Sequence, residues 1–190
     1  MGCCAVWRGL ALESDLIARQ MPPESTQHVR LVDVGRSIRR AADNLRDVVW
    51  IVNPERDTAS DLVARMRTIA AKMLADHRLT FSSSESSSQK SLDLEFKRHL
   101  VMMFKEILNN ILRHARATHV HIEIHLTDEH LRLSVADDGI GFTPSSRFTG
   151  VGLTSLRTRA AAIGGELSLE SNPGSGTRVR FEAKITRSGD

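Results

Sequence analysis

The spacing of apolar residues changes along this chain of 190 residues, and the changes limit which elements it can form. Between Leu31 and Val52, apolar residues recur at alternating steps of three and four, as they do in helical bundles and coiled coils. Between Val120 and Val135 they alternate with polar residues, which is typical of half-buried strands. The pattern predicts a helical N-terminal part, followed by a part that combines helices with a sheet.

The N-terminal part is predicted to be a helical hairpin. Residues 28–52 should form one long amphipathic helix, which ends at Asn53 because Pro54 disfavours helical geometry in the residue before it. A shorter helix is expected around residues 10–17, with the connecting turn at residues 21–24. The apolar seam of the long helix has no partner within one hairpin. We therefore expect a homodimer through residues 28–52 that forms a four-helix bundle.

The remaining elements follow from helical stripes, alternating strands and turn residues. Thr58 or Ser60 should cap a third helix that runs to about His77, and a serine-rich flexible loop is expected at residues 82–91. Further helices are expected from Leu92, with an apolar stripe at residues 104–112, and at residues 153–163; strands are expected at residues 79–81, 120–126, 131–135, 167–169 and 179–181.

These elements predict an α+β fold, a two-layer α/β sandwich with helices on one face of the sheet, preceded by the helical hairpin. The expected domains are the partial hairpin at residues 1–54, a linker helix at residues 55–78 and the sandwich at residues 79–190.

Composition argues against several classes of protein. Aromatic residues make up only 4% of the chain and tyrosine is missing, which argues against a platform that stacks bases. The net charge of +3 comes from arginines spread along the chain, so we expect no nucleic-acid partner. Cys3 and Cys4 are adjacent and cannot build a disulfide framework, and no apolar run approaches the roughly 18 residues that span a bilayer. A cytoplasmic protein without a membrane segment is expected.

Three polar residues share one face of the predicted helix that carries the 104–112 stripe. Glu106, Asn110 and Arg113 are spaced i, i+4 and i+7, on the face opposite the apolar stripe. Carboxylate and amide oxygens on adjacent turns suit Mg²⁺, and the arginine can neutralise phosphate charge. A solvated polar face with a helix salt bridge is the alternative for this segment.

An acidic residue follows the third predicted strand. Asp137 comes directly after residues 131–136, and Gly139 and Gly141 come next. Its carboxylate can accept a hydrogen bond from an exocyclic amine, while the glycines let the backbone pass close to a ring and a sugar. An ordinary turn after a strand is the alternative.

Two further glycine pairs lie downstream. Gly150 and Gly152 precede a predicted helix, where unpaired amides and the helix dipole attract phosphate oxygens. Gly174, Gly176 and Thr177 lie in the turn of the last predicted hairpin and are compatible with that turn alone. The order of all four segments is therefore more informative than any one of them.

That order is similar to the N, G1, G2 and G3 boxes of the Bergerat-type ATPase superfamily, which includes sensor histidine kinases, type II topoisomerases, mismatch-repair ATPases and heat-shock chaperones. Residues 45–54, 104–115 and 152–157 narrow the resemblance to histidine kinases of the nitrate-sensor or sugar-sensor type. The resemblance covers about residues 30–186. It implies the ATP-binding catalytic core of a two-component sensor kinase, either cytoplasmic or the cytoplasmic part of a membrane-bound sensor.

The resemblance also implies roles for individual residues. Asn110 would ligate Mg²⁺, Glu106 would help to orient the metal or the nucleophile, and Asp137 would bind the adenine amine. Residues 142–149 would form a short lid. The other implied ATP-binding residues are Arg113, His114, Gly139, Gly141, Gly150, Gly152, Leu153 and Thr177.

A histidine kinase also needs a phosphoacceptor histidine, normally followed by an acid, and none is identified. His28 and His77 are the only histidines before residue 80, and neither is followed by an acid. The implied reaction passes phosphate from ATP to a histidine, of this chain or of an intact partner kinase, and then to an aspartate of a response regulator. The alternatives are a nucleotide-binding dimer that modulates a partner without autokinase activity, and an anti-sigma-type serine kinase.

Overall fold

A computed structural model of the chain describes residues 3–52, 58–85, 91–143 and 151–185. The chain divides into two compact units, Met1–Asn53 and Pro54–Asp190, which are called here the helical unit and the sandwich unit. Each unit is described by itself.

The helical unit is the predicted hairpin. It contains α1 (Cys3–Arg19) and α2 (Thr26–Val52), so the first helix is longer than the apolar pattern indicated. Gly35 of α2 lies against α1, because a Cβ at Gly35 would stand 2.4 Å from Ser14 Oγ. Arg39 donates to Asp15 across the two helices at 2.6 Å. These contacts hold the two helices side by side.

The predicted seam of α2 is not the face that α1 covers. Val34 is 49% exposed and Leu45 is 42% exposed, whereas Gly35 and Ala42 are buried. The side chains of Val48 and Val52, which complete the predicted seam, lie outside the described side chains. The small residue Gly35 lets α1 approach closely, while Val34 and Leu45 of the predicted seam face outward.

The sandwich unit contains three α-helices and five strands in its described residues. In chain order these are α3 (Ala59–Met73), β1 (Arg78–Glu85), α4 (Leu94–Asn110), β2 (His119–Leu126), β3 (His130–Asp137), α5 (Val151–Ala162), β4 (Glu166–Ser171) and β5 (Thr177–Lys184). One π-helical turn, Ile111–Ala115, continues α4. The strand order is β1-β2-β3-β5-β4; β1 pairs with β2 in parallel, and the other neighbours are antiparallel.

The core lies between one face of this sheet and the helices. Alternate residues of β2 are buried, from Val120 to Leu126, while the residues between them are half-buried or exposed. α4 contributes most of the large buried side chains on the helical side, including Phe96, Leu100, Met103, Phe104 and Leu108. The α+β sandwich predicted from the periodicity of the apolar residues is confirmed.

One predicted loop is partly a strand. Residues 82–85 of the expected serine-rich loop belong to β1, in parallel register with residues 123–126 of β2, while residues 86–90 lie outside the described residues. The reason is pairing with a neighbour: Ser84 Oγ lies 2.8 Å from His125 Nδ1, and Arg67 donates to Ser83 Oγ at 3.0 Å. Pairing with β2 and the contact from α3 override the low strand propensity of a serine run.

The boundaries of α3 and α4 also differ from the prediction. α3 ends at Met73 with Leu74 as its cap residue, rather than at His77, because the chain must turn before β1 begins. α4 begins after Asp93, whose carboxylate accepts from the Phe96 N–H at 2.9 Å. At the start of α3, Thr58 is the cap, as one of the two predicted alternatives, and forms a capping box with Asp61.

Candidate functional site

A cavity of about 490 Å³ opens in the sandwich unit, between the helices and the sheet. Its wall is mainly apolar and is formed by Ile107, Ile111, Ala115, Val135, Ile140, Phe142, Leu153, Leu156, Leu169 and Val179. Few polar side chains interrupt this wall: Asn110, His114, Asp137 and Thr177. An apolar cleft with a small number of polar groups is typical of a site for a small molecule.

The polar residues on the helical side come from the end of α4. The regular helix stops at Asn110, and the wider turn Ile111–Ala115 follows and ends at Arg116, whose φ is 51°. π-helical turns of this kind occur often at functional sites. Asn110 and His114 line the cavity, but Arg113 is exposed and does not.

Glu106 lies one helical turn before Asn110 and is not part of the cavity lining. A Cβ at Gly152 would stand 2.8 Å from Glu106 Oε1 and 3.5 Å from Asn110 Oδ1. The first turn of α5 therefore packs directly on these two side chains. A side chain at position 152 would displace the Glu106 carboxylate, which glycine leaves in place.

On the sheet side, Asp137 ends β3 and is half-buried. Its Oδ1 accepts from the Gly139 N–H at 2.9 Å, and the backbone of Thr177, its partner in β5, also bonds to it. Burial raises the pKa of the Asp137 carboxyl above its usual range, the neighbouring Asp138 raises it further, and the two backbone bonds oppose the shift. The site keeps a partly desolvated carboxyl at the cavity wall.

The adjacent Asp138 does not line the cavity and instead binds the backbone before and at the start of β2. Its carboxylate accepts from the backbone N–H groups of Thr118 and His119 at 2.8 and 2.9 Å, and from the Thr118 hydroxyl at 2.7 Å. These bonds hold the pKa of Asp138 at about 2, with the His119 N–H as the largest cause. Asp138 is exposed and anchors the loop, while Asp137 faces the cavity.

The loop after β3 is tied to both sides of the site. Ile140 donates its N–H to the Ala115 carbonyl at 2.8 Å, and the Ile140 carbonyl accepts from the Gly174 N–H at 2.7 Å. A Cβ at Gly139 would stand 2.2 Å from the Ala115 carbonyl oxygen, so this close approach excludes a side chain. Gly141 has a φ of +58°, which favours glycine, and it lines the cavity.

The last hairpin contributes Thr177, together with a residue that the sequence did not reveal. Ser171 is 7% exposed and its Oγ lies 2.9 Å from the Phe142 nitrogen, 3.0 Å from the Gly176 carbonyl and 3.0 Å from Thr177 Oγ1. Its position in the sequence could have revealed it, because Ser171 continues the alternation that places Leu167 and Leu169 on the inward face of β4. A polar residue in an inward position needs hydrogen-bond partners.

The cavity thus brings together seven of the predicted residues: Asn110, His114, Asp137, Gly141, Gly152, Leu153 and Thr177. Glu106, Arg113 and Gly139 are not part of its lining. Gly150 and residues 144–149 of the predicted lid lie outside the described residues. Within the described ranges, no cluster of three or more histidine, cysteine, aspartate or glutamate side chains is arranged to hold a metal ion.

Among the described residues, no helix is both long enough and apolar enough to cross a bilayer.

Curated relatives of this chain are sensor proteins. The chain is 32% identical over 138 residues to the signal transduction histidine-protein kinase/phosphatase UhpB of Salmonella typhimurium, covering 72% of this chain and 27% of that protein. It is 35% identical over 90 residues to the sensor protein VraS of Staphylococcus epidermidis, covering 47% of this chain and 26% of the relative. The chain therefore matches only about a quarter of the length of these relatives.

Solved structures with the same fold are histidine kinases. The histidine kinase domain of the blue-light activated kinase of Erythrobacter litoralis superposes with a TM-score of 0.56 at 14% identity, covering 96% of this chain and 94% of that one. The histidine kinase AdeS of Acinetobacter baumannii gives 0.57 at 16% identity, covering 96% and 95%. At such identities the likeness concerns the fold alone.

The family profile agrees with the geometry of the site. Residues 96–187 match the family described as histidine kinase-, DNA gyrase B-, and HSP90-like ATPase, a range that contains the whole cavity wall. Residues 96–187 of this chain are therefore similar to the ATPase domains of this family, and the relative that is 32% identical over 138 residues is a histidine-protein kinase.

Proposed function

We propose that the sandwich unit binds ATP in its cavity and supplies the phosphoryl group that is transferred to a histidine side chain. The observation that carries the proposal is the half-buried carboxylate of Asp137 on an otherwise mainly apolar wall. An ionised carboxylate only accepts hydrogen bonds, so it suits an exocyclic amine, while the apolar wall suits the planar ring that bears this amine.

The phosphates would lie toward α5. Gly152 and Leu153 line the cavity in the first turn of α5, which begins at Val151. Backbone N–H groups in the first turn of a helix have no partner within the helix, and the helix dipole favours negative charge there. His114 lines the cavity and Arg113 is exposed beside it, and we assign both to the phosphate end.

The side chains next to α5 fit a magnesium ion. Glu106 and Asn110 lie on successive turns of α4, and both approach Gly152. Mg²⁺ prefers hard oxygen ligands and is commonly held by one or two protein groups, together with water and substrate phosphates. We propose Asn110 as the ligand and Glu106 as the residue that orients the ion or the nucleophile. The ion would neutralise charge on the transferred phosphoryl group.

The histidine that receives the phosphoryl group is proposed to belong to a partner. His28 Nδ1 lies 2.8 Å from the Ala18 carbonyl oxygen, which ties the ring to the end of α1. This bond supports a structural role for His28 in the hairpin. We therefore assign the acceptor histidine to an intact kinase that pairs with this chain, and the onward acceptor to an aspartate of a response regulator.

The pairing surface is proposed to be the outward face of the helical unit. Val34 and Leu45 of the predicted seam are exposed, as are Leu12 and Leu16 of α1, at 62% and 50%. Burying apolar side chains of this size stabilises an assembly by about 1.5–3 kcal/mol each when burial is complete. The hairpin would form a four-helix bundle with a second copy or with a related kinase.

The second candidate is a nucleotide-binding dimer that modulates a partner kinase without transferring phosphate. It is favoured by the same observation at His28, because loss of an acceptor leaves the nucleotide pocket intact. The two candidates share the ATP site and differ in the fate of the terminal phosphate.

Incubation of the chain with labelled ATP and Mg²⁺ tests both candidates, with and without a kinase that carries an acceptor histidine and is disabled in its own ATP site. Acid-labile phosphate on the added kinase would support transfer in a mixed dimer. ATP binding without any acid-labile phosphate would favour the modulating dimer.

Two variants sharpen this experiment. Asp137→Asn should weaken ATP binding at least about tenfold and lower transfer with it, whereas Asp76→Asn, the same change at an exposed site outside the cavity, should alter neither. A wild-type chain that does not bind ATP would contradict the proposed function altogether.

A further inference from the structure

Ser171 is a buried hydroxyl at the junction of three segments of the ATP site. It ends β4 opposite Thr177 of β5, and its Oγ has three polar neighbours at 2.9 to 3.0 Å. The neighbours are the Phe142 N–H, the Gly176 carbonyl and the Thr177 hydroxyl. Phe142 and Thr177 line the cavity, but Ser171 does not.

The chemistry of these neighbours determines which atom donates in each bond. A serine hydroxyl has one proton and two acceptor sites. The Gly176 carbonyl can only accept, so it takes the Ser171 proton; the Phe142 N–H can only donate, so it occupies one acceptor site of Oγ. The remaining acceptor site faces Thr177 Oγ1. The Thr177 hydroxyl must therefore donate its proton to Ser171.

Because the Thr177 hydroxyl already donates its proton to Ser171, Thr177 can only accept hydrogen bonds from a ligand in the cavity. Its hydroxyl proton points at Ser171, so only oxygen lone pairs are left for a ligand. Asp137, the cross-strand neighbour of Thr177, presents a carboxyl on the same wall, and its ionised form also only accepts. Thr177 Oγ1 and the Asp137 carboxylate then both present acceptors to this end of the cavity.

We propose that Ser171 is a positioning residue that sets the base specificity of the ATP site, by directing the Thr177 hydroxyl away from the cavity. The inference rests on the proposed function. A purine with an amine at position 6 donates hydrogen bonds to these acceptors. A purine with a carbonyl at position 6 places an acceptor oxygen against the acceptor oxygens of Asp137 and Thr177, and no hydrogen bond can form. The discrimination is large where a site is built for one hydrogen-bonding pattern and leaves buried polar groups unpaired with the other.

The test compares dissociation constants of the full chain for ATP and for inosine triphosphate, which carries a carbonyl at position 6. The wild type should prefer ATP. The preference is the dissociation constant for inosine triphosphate divided by that for ATP. Ser171→Ala should lower this ratio roughly two- to tenfold, the effect expected for one neutral hydrogen bond. Thr177→Val should lower it similarly, and Thr177→Ser, which keeps the hydroxyl, should restore it.

A double variant separates positioning from general weakening. If Ser171 acts through Thr177, adding Ser171→Ala to Thr177→Val should not lower the preference any further. Ser168→Ala, on the exposed face of the same strand, is the matched control and should leave the ratio unchanged. Ser171→Cys keeps a small side chain with weak hydrogen bonding, and it replaces Ser171→Ala if that variant does not fold.

The outcomes also distinguish this inference from the proposed function. Equal weakening of both nucleotides by Ser171→Ala would make Ser171 merely structural and would overturn the inference. A wild type that binds ATP but does not prefer it to inosine triphosphate would overturn the inference and leave the proposed function in place. A wild type that binds no nucleotide would overturn both.

Discussion

The carboxylate of Asp138 accepts two hydrogen bonds from Thr118, one from the backbone N–H at 2.8 Å and one from the hydroxyl at 2.7 Å. Together with the bond from the His119 N–H, they fasten the loop after β3 to the segment that leads into β2. The loop carries Ile140 and Gly141 of the cavity wall. Asp138 therefore supports the site from outside it.

The first prediction concerns stability in acid. The pKa of Asp138 falls from the ordinary 3.8 to about 2 in the folded protein, so its contribution is present above pH 3.8 and is lost as the pH falls through about 2. We expect Asp138→Asn to lower stability at neutral pH and to flatten the loss of stability between these pH values. Urea unfolding at a series of pH values measures this. Asp76→Asn should keep the wild-type slope, and an unchanged slope in Asp138→Asn would contradict the prediction.

The second prediction is that one substitution at Asp137 lowers ATP affinity without lowering the stability of the fold. Burial raises its pKa in the folded state, so its ionisation costs stability as the pH rises through that raised value. Asp137→Asn removes this cost, and we expect the melting temperature at pH 7 to stay level or rise. ATP affinity should fall at least about tenfold, because a hydrogen bond to a charged group is lost. Calorimetric titration and thermal unfolding measure the two effects; a parallel loss of both would show that Asp137 is structural.

The third prediction tests the contact between α5 and the side chains assigned to the metal. A Cβ at Gly152 would stand 2.8 Å from Glu106 Oε1, so Gly152→Ala must displace the carboxylate. The obstructing atom is the end of a flexible side chain, which can move aside, so the fold should survive. We expect ATP binding to weaken more with Mg²⁺ present than with Mg²⁺ removed by a chelator.

The matched control for Gly152 is a glycine in a helix without close neighbours. Nothing lies within 4 Å of a Cβ at Gly9 of α1, so Gly9→Ala should change neither measurement. Equal weakening by Gly152→Ala with and without Mg²⁺ would argue against the metal assignment.

The fourth prediction concerns assembly through α2. Val34 and Leu45 are exposed members of the predicted seam, and a lysine at either position would place a charge on the surface proposed for pairing. Val34→Lys and Leu45→Lys should shift the chain from dimer to monomer without loss of helix content. Sedimentation equilibrium and circular dichroism measure the two properties. Gln27→Lys, at an exposed position near the start of the same helix, should remain dimeric.

The sequence predicted those elements of the fold whose pattern depends only on residues near one another along the chain. The alternation from Val120 to Val135 predicted β2 and β3 because side chains of a strand point to opposite faces in turn. Residues 82–85 were missed because their strand character comes from pairing with β2, about 40 residues further along the chain. A serine run carries no local sign of such a partner.

The same distinction applies to the site. Asp137 and Gly141 were identified because they stand in one short segment, whose turn requires glycine at a φ of +58°. Ser171 was missed because its importance arises only when Phe142, Gly176 and Thr177 converge on one hydroxyl. Hydrogen-bond convergence is a property of the folded chain.

The sequence by itself determined the class of the fold and the residues able to recognise a nucleotide, because periodicity and short motifs depend on neighbours along the chain. Only the tertiary structure decided what holds the two adjacent acids in place. Asp137 accepts hydrogen bonds from the backbone of Gly139 and Thr177 at the cavity wall, while Asp138 accepts three from Thr118 and His119 at the start of β2. Thr118, His119 and Thr177 are distant along the chain, and only the folded sheet brings their donors beside the two acids.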